Sequence, residues 1–331
     1  MGPGPAPSWD REYAPNALFG DRRCCRATLG ALWSGYPAIV ADSCENTTKR
    51  THGSAPPLRR DPDQPDRRTG LVRIDGLDLR VAVEGEGPPL LLINGIGANI
   101  EMWTPFARAL RGRQLILFDA PGTGQSSRTR QPVRMRRLSR VVTGLLDHLG
   151  YEQVDVLGYS FGGALAQQLA HQSPDRVRRL VLAGTMCGIG VPANPLVLAL
   201  MATPYRYHSR SHLRRIAPLI YGGRSRREPE MLRRHLAARM ARPPSMLGYQ
   251  WQLYALAGWS SLLWLHRLEQ PTLVLHGEKD PIVPLVNSRL LARRIPGARL
   301  HVLPAAGHLF LIDQPDEPAA VVMDFLDRSA A

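Results

Sequence analysis

From Leu71 onward, short apolar runs alternate with stretches in which apolar residues recur at helical spacing. Leu71–Gly85 reads as two strands around a turn at Asp75-Gly76. Leu90-Leu91-Leu92-Ile93 is an unbroken apolar run, the pattern of a strand buried on both faces. Glu101–Arg111 places Trp103, Phe106 and Leu110 on one helical side, and Gln114–Phe118 is the next strand. Met135–Leu149 predicts an amphipathic helix with Leu138, Val141, Val142, Leu145 and Leu149 on its apolar face. Val154–Leu157, Phe161–His171 and Leu180–Ala183 continue as strand, helix and strand. After an interruption come strand Pro271–Leu275, helix Leu285–Ile295, strand Leu300–Leu303 and helix Glu317–Leu326. This alternation predicts an α/β fold: a mostly parallel central sheet, right-handed crossovers, and helices on both faces.

Two stretches depart from the rhythm. Residues 1–70 are rich in proline, glycine, arginine and aspartate, and Ala55–Gly70 carries too little apolar surface to offset its ordering entropy. We expect residues 1–70 to be a disordered extension, or the product of a start codon placed too far upstream. Arg22, Arg23 and Arg26 ahead of Ala27–Ala41 resemble a displaced export signal. About twenty residues precede them and Tyr36-Pro37 breaks the run, so export is the weaker reading. The second stretch, 186–267, looks helical and contains several prolines. It predicts a helical cap or lid inserted between sheet strands, leaving 71–185 and 268–331 as the core. Met186, Met201, Met231, Met240 and Met246 lie in it, which suits a pocket for flexible apolar substrates and, equally, ordinary packing of a helical subdomain.

The candidate chemistry sits in loops that follow strands. Gly158-Tyr159-Ser160-Phe161-Gly162-Gly163 comes after a strand and opens a helix, the context that makes G-x-S-x-G a nucleophile elbow. Gly158 and Gly162 would supply the room that a strained turn around Ser160 needs, and the helix N-terminus adds a positive dipole end. Leu275-His276-Gly277-Glu278-Lys279-Asp280-Pro281 follows a later strand; a carboxylate there would orient a catalytic histidine. Asp280 is favoured over Glu278 by its motif position. Ala306-Gly307-His308 follows the last strand, and Ser160, Asp280, His308 is the chain order of the α/β-hydrolase arrangement. His276 is nearer to Asp280 in sequence, but topology favours His308. Asn94-Gly95-Ile96-Gly97 follows the strand Leu90–Ile93, and backbone N–H groups of Ile96 and Phe161 are the expected oxyanion hole.

Longer stretches narrow the picture. Leu91-Leu92-Ile93-Asn94-Gly95-Ile96-Gly97-Ala98-Asn99 carries asparagine where many such hydrolases have histidine. With it go Gly163-Ala164-Leu165-Ala166-Gln167-Gln168, Ile216–Gly223, Tyr249-Gln250-Trp251-Gln252-Leu253, Gly258-Trp259 and Trp264-Leu265-His266. The run closes with Arg289–Pro296 and Gly307-His308-Leu309-Phe310-Leu311-Ile312. Together these resemble the intracellular depolymerases of medium-chain-length poly(3-hydroxyalkanoates), from about Leu71 to Phe325, cap included. The resemblance implies a serine hydrolase that needs no cofactor, cleaving a hydrophobic polyester through an acyl-enzyme, with Ser160, Asp280 and His308 as the triad. It also implies a cytoplasmic setting. Phe161 stands where that family looks to have tryptophan, Tyr159 replaces a smaller residue, and residues 1–70 lie outside the resemblance. A carboxylesterase, lipase or thioesterase for medium-chain acyl esters is the alternative, and an acyltransferase on the same scaffold is another. Serine at the elbow argues against epoxide hydrolases and dehalogenases, which need a carboxylate there, and against the related polymer synthases, which use cysteine.

Composition adds charge. The 331 residues carry a formal charge of +14, and all basic residues except Lys49 and Lys279 are arginine. Tyr205–Arg242 holds eleven arginines against Glu228 and Glu230; Arg128–Arg140 holds six and no acid. These runs read as solvated basic faces, or as a surface for coated polymer granules. No nucleic-acid motif accompanies them. Four cysteines do not make a disulfide scaffold. Cys24-Cys25 lacks a second pair at zinc-ligand spacing, and no H-E-x-x-H occurs, so no metal is expected. No apolar run reaches the roughly 18 residues of a membrane helix.

Overall fold

The computed structural model describes residues 58–62, 64–188, 192–223, 228 and 236–328. Cys24-Cys25 and the arginine-led stretch up to Ala41 lie outside the described residues. Nine strands form one sheet in the order β1-β2-β3-β5-β4-β6-β7-β8-β9. They are β1 (Arg59–Asp61), β2 (Gln64–Ile74), β3 (Leu77–Glu84), β4 (Pro89–Ile93), β5 (Gln114–Phe118), β6 (Val154–Tyr159), β7 (Val177–Ala183), β8 (Thr272–Gly277) and β9 (Arg299–Leu303). Pairing is antiparallel from β1 to β5 and parallel from β5 through β9.

The apolar runs become the buried centre of the sheet because successive side chains point to opposite faces. Leu91 and Ile93 of β4 join one core, beneath helices α2 (Met135–Leu149) and α3 (Phe161–Gln172). Leu90 and Leu92 join the other, with Trp103 and Phe106. That second core is covered by α1 (Thr104–Ala109) and by the C-terminal helix Asp316–Asp327, which contributes Val322 and Phe325. Each fully buried leucine contributes roughly 1.5–3 kcal/mol relative to exposure. Helix α2 ends as its sequence suggests: Gly150 takes φ +77, and its N–H closes onto Asp147 and Leu146 carbonyls. The helix expected over Glu101–Arg111 is shorter. A 3-10 turn at Ile100–Trp103 leads into α1, which has proline in its first turn.

The extension read as structureless up to Gly70 is corrected at its C-terminal end. Residues 59–70 supply β1 and the first half of β2. Arg67 faces Glu84 across the β2–β3 ladder, donates from Nε to its carboxylate at 2.5 Å, and is only 2% exposed. The stability of this edge comes from ladder bonds and a buried ion pair, so no apolar period marks it.

Between β7 and β8 the chain is helical: α4 (Pro195–Met201), α5 (Tyr205–His208), α6 (Arg210–Ile220), helical residues 236–241 and α7 (Met246–Leu256). Asn194, Ser209 and Ser245 cap α4, α6 and α7, each side chain accepting a first-turn N–H. No described helix is long and apolar enough to cross a membrane.

Candidate active site

Ser160 sits between β6 and α3 at φ +54, ψ −117, a backbone conformation costly for a residue with a Cβ. The surroundings hold it there. Ser160 N–H donates to Ala183 O at 2.9 Å, and Thr185 Oγ1 donates to Ser160 O at 2.7 Å. The flanking glycines are a packing necessity. A Cβ on Gly158 would lie 2.4 Å from Gly162 O, and one on Gly162 would lie 2.0 Å from Ile93 O.

The structure brings His308 and Asp280 together. His308 Nδ1 donates to Asp280 Oδ2 at 2.6 Å, with both residues buried. Asp280 Oδ1 accepts the backbone N–H groups of Ile282 at 2.8 Å and Val283 at 3.0 Å, which fixes the carboxylate. Glu278, the competing carboxylate, turns outward to Lys279 and the Ala305 N–H. His276, the competing histidine, is fully buried, with Nδ1 2.7 Å from Ser288 Oγ and Nε2 2.9 Å from Val283 O. It stays 4.0 Å from Asp280 Oδ2, and burial holds its pKa below the usual histidine value.

The Asn94–Gly97 loop folds over the serine. Asn94 Oδ1 accepts the Gly95 N–H at 2.9 Å, while its Nδ2 donates to Asn99 O at 2.8 Å. A Cβ on Gly95 would stand 3.5 Å from Ser160 Cβ. Gly97, at φ +70, donates to Gln252 Oε1 at 2.9 Å, and Tyr207 donates to Ile96 O at 2.6 Å. The inserted helices therefore pin the loop. Phe161 is the first residue of α3, where an N–H has no partner within the helix.

Several contacts escaped the sequence reading. Tyr159 OH donates to His308 O at 2.5 Å, and its ring centroid lies 5.2 Å from the imidazole. Burial raises the Tyr159 pKa well above its ordinary value, so the phenol keeps its proton. The His308 N–H donates to Tyr221 O at 2.7 Å. Backbone meets backbone here: a Cβ on Gly307 would fall 2.1 Å from Tyr221 O, and one on Gly223 would fall 2.1 Å from Gly307 N. Arg206 and Arg239, read as members of a surface run, are each 2% exposed, whereas Arg210, Arg214 and Arg215 are exposed as expected. The correction has a physical basis, since tyrosine rings and phenol oxygens surround both buried guanidiniums.

Ser160, His308, Gly95 and Ile96 line one cavity of about 30 Å³, roofed by Tyr207, Tyr221, Arg206 and Arg239. A larger cleft of about 660 Å³ opens between Arg134, His171, Trp259 and Trp264, and none of the candidate residues lines it. The small cavity is the chemically equipped one. It joins a serine on a strained turn and an imidazole whose Nδ1 is held by a carboxylate.

The sequence profile of the alpha/beta hydrolase fold matches residues 88–315. The chain belongs to the α/β-hydrolase family. As a hydrolase it is similar to a poly(3-hydroxyalkanoate) depolymerase of Ectopseudomonas oleovorans, 49% identical over 262 residues that cover 78% of this chain and 92% of the relative. A 2-hydroxymuconate semialdehyde hydrolase of Pseudomonas putida is 35% identical over 264 residues, 75% of this chain and 90% of the relative. Among solved structures, a hydrolase from Pseudomonas aeruginosa PA01 superposes with TM-score 0.68 at 30% identity, over 78% of this chain and 98% of that one.

Proposed function

We propose that this hydrolase cleaves the ester bonds of medium-chain-length poly(3-hydroxyalkanoate), releasing 3-hydroxy acids or short oligomers. The 49% identity to a poly(3-hydroxyalkanoate) depolymerase over 92% of that relative carries the substrate assignment. The short bond between Asp280 and His308, a residue that lines the same cavity as Ser160, supports the mechanism.

In this reading His308, its Nδ1–H held by Asp280, takes the Ser160 proton as Oγ attacks an ester carbonyl. The oxyanion faces the N–H groups of Ile96 and Phe161, each contributing ~3 kcal/mol to its stabilisation. The C–O bond to the leaving chain breaks, and His308 returns the proton to the departing alkoxide. Water, deprotonated in turn by His308, then releases the acid from Ser160. The helices within 186–267 act as the cap over the core of 71–185 and 268–331, and the exposed arginines of α6 face the polymer granule in the cytoplasm.

The test is release of hydroxy acids from an emulsion of poly(3-hydroxyoctanoate) by wild type and Ser160→Ala. Release by wild type that vanishes in the variant is the expected result. Ser160-dependent cleavage of p-nitrophenyl octanoate, with none from polymer, would overturn the polymer assignment and leave a medium-chain esterase.

A further inference from the structure

Two arginines over the site meet no carboxylate among the described residues. Arg206 and Arg239 are each 2% exposed, and both line the cavity that contains Ser160 and His308. Among the described residues, no carboxylate lies within ion-pair distance of either guanidinium. Their partners are neutral. Arg206 Nη1 donates to Tyr249 OH at 2.7 Å, and Arg239 Nη1 donates to Tyr221 OH at 2.5 Å. The Arg206 guanidinium stands 4.7 Å from the Tyr207 ring centroid, and the Arg239 guanidinium 5.2 Å from the same ring. Burial holds the phenols of Tyr221 and Tyr249 above their ordinary value, Tyr249 at about 12, so neither supplies a negative charge at neutral pH. Each arginine also keeps a buried Nε–H without a partner.

Burying one unpaired cation is expensive, and ring faces offset only part of that cost. Burying two within one small cavity, beside a serine and an imidazole, makes sense where an anion joins them. Arginine is suited to a carboxylate, which it holds with parallel N–H donors. The anion must be small and close to the scissile bond, because the same cavity of about 30 Å³ touches Ser160, His308 and both arginines.

We propose that Arg206 and Arg239 bind the free carboxylate of a 3-acyloxy acid, so that the preferred substrate is an ester whose alcohol half carries a terminal carboxylate two carbons from the bridging oxygen. This rests on the ester-hydrolase reading above and specifies its substrate. In a poly(3-hydroxyalkanoate) that group exists only at the carboxyl end of a chain. Ser160 Oγ bonds to the carbonyl of the penultimate unit. The C–O bond to the last unit breaks, and its alkoxide takes the proton from His308, leaving as a 3-hydroxycarboxylate. Water then hydrolyses the acyl-enzyme and creates a new carboxyl end, ready for the next cycle. Release proceeds from that end, one unit at a time.

The experiment compares the linear dimer of 3-hydroxyoctanoate, with its carboxylate free, against its methyl ester. Wild type is expected to favour the free acid about ten- to hundredfold in kcat/KM, the scale of hydrogen bonds to a charged group. In Arg206→Met and Arg239→Met that ratio falls toward one, whatever the absolute rate. A wild-type ratio near one, or a preference that survives both substitutions, overturns the proposal. Should either variant fail to fold, inhibition of wild type on p-nitrophenyl octanoate decides. Inhibition by 3-hydroxyoctanoate at least tenfold stronger than by its methyl ester supports the carboxylate site, and equal inhibition refutes it. Failure of the polymer assay alongside a retained acid preference would remove the polymer but keep the carboxylate.

Discussion

Replacing Asp280 by asparagine separates the proposed orienting role of the carboxylate from its place in the fold. The asparagine side chain would keep one oxygen where Oδ1 now accepts the Ile282 and Val283 N–H groups at 2.8 and 3.0 Å. Its amide NH₂ would replace Oδ2, which now accepts from His308 Nδ1 at 2.6 Å. Two donors would then face each other. The imidazole relieves this by moving its proton to Nε2, the nitrogen that must be bare if it is to accept from Ser160 as proposed. On the scale of such substitutions in serine triads, kcat falls ~10⁴-fold, which is ~5.5 kcal/mol of transition-state stabilisation. Folding stability should change by no more than about 1.5 kcal/mol, because both backbone donors keep their acceptor. The assay is kcat on p-nitrophenyl octanoate at pH 8, with thermal denaturation followed by circular dichroism. An Asp280→Asn variant within tenfold of wild type would refute the reasoning, as would an equal loss in His276→Gln.

Three further outcomes follow from described contacts. Tyr159→Phe removes the phenol that donates to His308 O. It should cost ~1–3 kcal/mol of stability for the buried carbonyl left unpaired, with a several-fold lower kcat and unchanged KM in steady-state assays. Gly307→Ala would press a Cβ 2.1 Å from Tyr221 O, whereas Gly297→Ala, at φ +66, meets nothing within 4 Å. The first should lose ~1–3 kcal/mol by overpacking together with most activity, and the second ~1–2 kcal/mol from its backbone alone with activity intact, both read by melting and turnover. His276, whose folded pKa is lowered chiefly by burial, is neutral in the fold and gains a proton more readily when unfolded. The stability this contributes is present above the unfolded value of ~6.5 and is lost as pH falls toward the folded value, at up to ~1.4 kcal/mol per pH unit. Melting between pH 8 and pH 5 should therefore show a shallower decline in His276→Gln than in wild type.

The sequence was most informative where backbone chemistry is restrictive. Gly158 and Gly162 mark the elbow because carbonyl oxygens of Gly162 and Ile93 occupy the space a Cβ would need. Asp280 and His308 were legible because each follows a parallel strand, which fixes where a loop residue emerges. The N-terminal edge, β1 and the first half of β2, was not legible. In β2 the inward position is Arg67, whose value depends on Glu84 arriving from another strand. The arginine run from Tyr205 to Arg242 hid its two functional candidates for a related reason. Arg206 and Arg239 differ from Arg210 and Arg214 only in the tyrosines that tertiary packing brings to them. Tyr159 was visible beside the serine, but its bond to His308 O spans 149 residues and appears only once the sheet closes.

The seam between Tyr221-Gly222-Gly223 and Gly307 ties two distant stretches of chain into one piece. A Cβ on Gly307 or on Gly223 would strike backbone of the other segment, and the His308 N–H fastens the joint through Tyr221 O. The end of α6 and the loop that carries the imidazole therefore share one mechanical anchor, so a substitution that shifts either segment should be read at both.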